Sequence, residues 1–116
     1  MFCYDLLTKE MKKNKINTEN VDRNKYEQFI SICNSLDSVI INVEARYINL
    51  EIIDKNIVVE FGSYLMEENH GSNSDLIYLF KMAKNFSANI LNEDGLVSFK
   101  FLFDGVLKWT RKIRKK

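Results

Sequence analysis

Apolar and polar residues alternate most regularly between Val97 and Phe103, where Val97, Phe99, Phe101 and Phe103 are interleaved with Ser98 and Lys100. A period of two marks a strand with one buried face. A similar pattern runs through residues 47–54 and 57–65 and predicts a hairpin. With Lys55-Asn56 as a two-residue loop, Ile52 stands opposite Val59 and Leu50 opposite Phe61. Ile48, Leu50, Ile52, Ile57, Val59 and Phe61 then share one face. The other face carries Tyr47, Glu51, Glu60 and Tyr64. The branched residues of 38–44 predict a further strand, and 88–91 a short one ahead of the turn Glu93-Asp94-Gly95.

Helical spacing appears in four places. Phe2, Leu6, Leu7 and Met11 predict a helix over 2–13. Tyr26, Phe29, Ile30, Cys33 and Leu36 mark a second, capped by Asp22, with Val21 and Tyr26 in staple geometry and an end near Leu36. Leu76, Leu79, Phe80 and Ala83 define a third, from a Ser74 cap to about Phe86, its apolar face widened by Ile77 and Met82. Asp104 caps a fourth from Gly105 to about Arg114, with Val106, Trp109 and Ile113 inward. Residues 12–24 and 67–74 read as polar connections, the latter broken by Gly71. The expected fold is α+β: a mostly antiparallel sheet of about five strands with helices packed on it. Its expected core is Leu50, Ile52, Val59, Phe61, Leu79, Phe80, Ala83, Phe99, Phe101 and Trp109.

Composition narrows the class. A chain of 116 residues is one domain, 1–116, with a basic C-terminal helix or tail at 105–116. The longest apolar runs are far short of the ~20 residues that span a bilayer, and the start lacks the basic-then-apolar order of a secretory signal. Cys3 and Cys33 form no C-x-x-C pair. The expectation is a reduced, cytoplasmic protein. Abundant Lys, Asn and Ile with no Pro match an AT-rich coding sequence of bacterial or phage type.

Charge changes the picture most. Residues 26–107 hold twelve acidic and five basic side chains, net −7, whereas residues 108–116 hold six basic and no acidic ones. An acidic body with a basic tail points to a charged macromolecular partner. Candidate chemistry is sparse. The single histidine, His70, lies near Glu67, Glu68 and Asp75, which falls short of a metal-ligand motif. Cys33 sits on an apolar helix face, where a free cysteine behaves as a small hydrophobe. With four scattered glycines there is no phosphate-cradling loop, and no G-x-S-x-G elbow exists. No enzyme activity, cofactor or metal is therefore expected. The tail, with Lys108, Arg111, Lys112, Arg114, Lys115 and Lys116 around Trp109, offers sequence-independent contact with nucleic acid as an alternative. The acidic body favours a basic protein partner instead. Its candidate contact residues are Tyr47, Glu51, Glu60, Tyr64, Glu67, Glu68 and Asp75.

Size, AT-rich character, acidic body and the helix–strand–turn–strand run from Asp75-Leu76-Ile77-Tyr78-Leu79-Phe80 through Ala88-Asn89-Ile90-Leu91-Asn92-Glu93-Asp94-Gly95-Leu96-Val97 together resemble the small immunity proteins that bacteria pair with polymorphic or contact-dependent toxins. The resemblance implies a cytoplasmic, non-catalytic protein. It would bind a cognate toxin domain, often a basic nuclease, and block its active site.

Overall fold

A single long helix replaces one of the expected strands. In the computed structural model, which describes residues 2–16, 22–64, 73–105 and 107, helix α1 spans Phe2–Lys13 and helix α2 spans Arg23–Asn42. Residues 38–44 are thus not a strand. Their branched side chains continue the helical period, so Val39 falls on the buried stripe of Phe29, Ile32, Cys33 and Leu36. No glycine or proline interrupts the run, and burial of a continuous face outweighs weak local preference. Asp22 caps α2 as expected, accepting from the backbone N–H of Asn24 at 2.9 Å and Lys25 at 3.2 Å.

Both helices end without glycine. At α1, Ile16 N–H donates to the Met11 carbonyl and Lys15 takes φ 55°. At α2, Ala45 N–H donates to the Ile40 carbonyl and Glu44 takes φ 51°. This pattern normally places glycine in the left-handed position. Glu44→Gly should therefore stabilise the fold by roughly 0.5–1 kcal/mol, read as a higher denaturation midpoint at unchanged slope.

Strands β1 (Tyr47–Ile53) and β2 (Asn56–Tyr64) form the hairpin. The turn is Asp54-Lys55, with φ 50° and 65°, as a type I′ turn demands. The register therefore differs by two residues from the expected one: Leu50 faces Val59, Ile48 faces Phe61 and Ile52 faces Ile57. An even shift preserves the faces, so the apolar set stays together. It also sets Glu51 against Val58 and Asn49 against Glu60, avoiding the direct Glu51–Glu60 opposition of the expected register.

Helix α3 (Asn73–Met82), strand β3 (Asn85–Ile90) and strand β4 (Leu96–Phe103) follow. The third helix stops before Phe86, which belongs to β3 and pairs with Phe101. Among the described residues the sheet is four-stranded and antiparallel, in the order β1-β2-β4-β3. The expected count of about five is corrected by the helical assignment of 38–42.

The helices cover one face. Cys3, Leu7 and Met11 of α1, the stripe of α2 and Leu79 of α3 close over Ile52, Ile57, Val59, Phe61, Phe101 and Phe103. Leu50, Ala83 and Phe99 pack at the margin, half-buried. Phe80, expected inside, is 43% exposed because it lies at the rim over Phe86, ring centroids 4.6 Å apart. Phe2 is likewise exposed, and Cys3 takes the inward position on α1. Asp37 of α2 anchors the start of α1 by accepting from Cys3 N–H at 2.8 Å. Asp104 does not open a helix among the described residues; it pairs with Lys84 at 3.4 Å. The remainder of the expected C-terminal helix, with Trp109 and Ile113, lies outside the described residues.

Candidate protein-binding face

The face of the sheet turned away from the helices follows from alternation. If Phe61, Phe99 and Phe101 point to the helices, then Tyr47, Asn49, Glu51 and Ile53 of β1 point the other way. So do Val58, Glu60, Gly62 and Tyr64 of β2, and Ser98, Lys100 and Leu102 of β4. No described helix covers this side. Four of the seven expected contact residues, Tyr47, Glu51, Glu60 and Tyr64, share it.

Their environments differ. Glu60 stands in the middle strands, with Asn49 on one side and Lys100 on the other. One of its carboxylate oxygens accepts from Tyr47 Oη at 3.0 Å and Ser98 Oγ at 2.8 Å. This holds the carboxylate against the sheet face as part of a three-residue polar cluster. Tyr47 reaches it because its ring lies across Gly62, where a Cβ would collide with ring carbons. Glycine in a strand interior thus marks a close approach. Glu51 is exposed on the rim of an open hollow of about 350 Å³, floored by Val58, Lys100 and Leu102 and bounded by Ile53 and Ser87. Tyr64, exposed at the far end of β2, stacks under the Arg46 guanidinium, 5.3 Å from the ring centroid, a cation–π arrangement. The face is therefore amphipathic: apolar in its hollow, with carboxylates and cations set between tyrosines.

Asp75 is elsewhere. It is half-buried in the first turn of α3 and accepts from Ser35 Oγ at 3.1 Å, so it joins α3 to α2 within the helical layer. Glu67, Glu68 and His70 lie outside the described residues, as do Lys108, Arg111, Lys112, Arg114, Lys115 and Lys116 of the basic tail. Residues that sequence reasoning missed are Gly62, Ser98, Lys100 and Arg46. Ser98 and Lys100 were readable from the alternation within 97–103. Their placement beside Glu60 depends on a β2–β4 pairing that crosses about forty residues of chain.

The cysteines show no sign of activation. Cys3 and Cys33 are both free and fully buried. Burial foremost, then the Asp37 charge, pushes the Cys33 thiol up from its ordinary 9.0 to about 12. Burial, a hydrogen bond with Asp37 and the same carboxylate raise Cys3 well above the thiol range. Only the thiolate is a nucleophile, so both should resist iodoacetamide until the protein opens. The folded state holds protons that the unfolded state releases above its thiol pKa. Stability should therefore fall as pH rises from about 9 toward 12. Melting curves across this range check the slope, which a Cys3→Ala/Cys33→Ala variant should flatten.

Among the described residues no three His, Cys, Asp or Glu side chains gather as a metal site, and no helix is long and apolar enough to cross a membrane. The chain matches no family model, no curated protein and no solved structure, so the geometry of its own sheet face carries the functional argument.

Proposed function

We propose that the protein is a stoichiometric, non-catalytic binding module whose uncovered sheet face docks a basic protein domain. The observation that carries this reading is the Tyr47–Glu60–Ser98 cluster beside the Glu51 hollow: a fixed carboxylate, an exposed one and two tyrosines on a single rigid sheet. Aromatic anchors supply affinity at interface centres, while charge sets rate and register. A held carboxylate spares its partner the cost of ordering it. The net charge of −7 over residues 26–107 steers a cationic surface toward the sheet. The partner that suits this chemistry best is a toxic enzyme with a cationic substrate groove, such as a bacterial nuclease toxin, and the mechanism is occlusion of that groove in the cytoplasm.

Glu51→Lys tests the reading cleanly, because Glu51 is exposed and takes no part in the Tyr47–Glu60–Ser98 cluster. Association with a toxin domain encoded beside this gene should slow about ten-fold at low ionic strength. The difference should shrink in high salt, with melting unchanged. Absence of binding to that domain, or failure to rescue growth on co-expression, would remove the antidote reading. DNA retention that disappears on deleting residues 108–116 would favour the tail as the functional element.

A further inference from the structure

The two edges of the sheet are not alike. β1 has α1 packed against it and carries Glu51, and such cover and charge discourage pairing with another chain. β3 has neither protection. Its six residues, Asn85-Phe86-Ser87-Ala88-Asn89-Ile90, are all exposed, and none is charged or a proline. They pair with β4 without a bulge. Among the described residues nothing pairs with the outer side of β3.

The direction of its backbone groups can be worked out. Leu91 N–H donates to the Leu96 carbonyl at 2.7 Å, toward β4. Alternation along an antiparallel ladder then turns Asn89, Ser87 and Asn85 toward β4. The N–H and C=O groups of Phe86, Ala88 and Ile90 point outward.

We infer that β3 pairs antiparallel with β3 of a second copy about a two-fold axis through Ala88, joining two four-stranded sheets into one. In this register Ala88 meets its own counterpart and Phe86 meets Ile90. All three outward-pointing residues of each strand then face outward-pointing residues of the other, and each such pair exchanges both of its backbone hydrogen bonds. Moving the axis to Ser87 leaves Ile90 without a partner. Phe86 against Ile90 is also a favourable aromatic–branched cross-strand pair, and the absence of charge on β3 removes like-charge repulsion across the axis. The pairing keeps side-chain faces: Ser87 meets Asn89, polar against polar, on the uncovered side.

Apolar surface beside the strand adds to the interface. Phe80 and Phe86 touch at the rim of the helical layer, and Ile77 lies one turn before Phe80. Ile77, Phe80, Phe86, Ile90 and Leu91 are between 40% and 75% exposed. Together they present on the order of 400–500 Å² of apolar surface per copy, taking a large side chain as 150–250 Å². With the strand backbones, two copies would bury on the order of 1,200 Å², the lower bound for a stable specific interface. This surface adjoins the docking face proposed above, since Ser87 of β3 also lines the Glu51 hollow, but Ala88 and Ile90 do not line that hollow, so variants at these two positions probe pairing alone.

Sedimentation of the full chain over a wide concentration range is the test. The expected result is a monomer–dimer equilibrium that stops at two. Ala88→Pro should abolish it, because the Ala88 N–H faces outward and its loss takes no bond from the β3–β4 ladder. The variant should keep its circular dichroism spectrum. Ile90→Lys, at a side chain already 75% exposed, should weaken the dimer at least ten-fold and guards against a misfolded proline variant. Ala88→Cys should be captured as a dimer by a short thiol cross-linker that leaves the native chain, with its buried cysteines, unlinked. A native chain that stays monomeric at the highest concentration reached, open-ended multimers, or a dimer that survives both substitutions would each overturn the inference.

Discussion

With Phe101 replaced by alanine, the protein is expected to lose about 3–5 kcal/mol of stability. That is a large share of the 5–15 kcal/mol that typically holds a domain together, and the melting temperature should fall by very roughly 10–20 °C. Phe101 is fully buried in a strand with neighbours on both sides. Its ring lies 4.9 Å from Phe86, 5.5 Å from Phe80, 5.9 Å from Phe103 and 6.1 Å from Phe61, centroid to centroid. Removing it opens a cavity where β2, β4, β3 and α3 meet, and no single neighbour can collapse to fill it. Phe86→Ala should cost distinctly less, since that ring is already 40% exposed. Equal losses at the two positions in denaturant titrations would contradict the burial described for β4.

Gly62→Val is the second large effect, and its sign depends on a neighbour. A Cβ at position 62 would meet the Tyr47 ring, with Cδ1 and Cζ each 2.8 Å away and Cε1 closer still. The ring must leave, which overpacks the site at a cost of about 1–3 kcal/mol and breaks the hydrogen bond from Tyr47 to Glu60. In a Tyr47→Ala background the clash is gone. There the same change should be neutral or stabilising, because a branched side chain suits a strand better than glycine does. A double-mutant cycle measures this directly. Additive effects would mean that Tyr47 does not lie over Gly62. Because Glu60 loses one of its two donors, Gly62→Val should also impair binding of a basic partner through the sheet face.

How far each feature could be read in advance depends on the range of the interaction that decides it. The alternation in β4 and the helical spacing in α1 are local, and both elements stand where the residue pattern puts them, although in α1 Cys3 takes the inward place expected of Phe2. Residues 38–44 misled because Ser-Val-Ile-Ile-Asn-Val is locally strand-like, while the deciding interaction is Val39 joining Phe29, Ile32 and Leu36 in one buried stripe. The hairpin faces were legible and its register was not. Turn chemistry at Asp54-Lys55 and the avoidance of opposed glutamates choose between registers that bury the same side chains. In the candidate site, alternation revealed that Tyr47, Glu51, Glu60 and Tyr64 share a face. It gave no sign that Ser98 would donate to Glu60, since β2 and β4 are joined through α3 and β3. Asp75 carries a carboxylate near the acidic loop in sequence, yet Ser35 draws it into the helical layer.

The strand order has a consequence for how the protein is made. β4 lies between β2 and β3, but it is the last described element to be synthesised. Until the ribosome has passed Phe103, the β1–β2 hairpin has an open inner edge, and Ile57, Val59 and Phe61 lack the strand that completes their layer. The chain must carry this sticky half-sheet while residues 65–103 are added, covered at first only by α1 and α2. Pairings between distant segments form late and leave apolar edges exposed meanwhile. Chains arrested near residue 95 should accordingly be chaperone clients and aggregate when released, whereas chains extended beyond Phe103 should fold on release. Slow codons or a nascent-chain pause ahead of β4 would then lower the yield of soluble protein from an unaltered sequence.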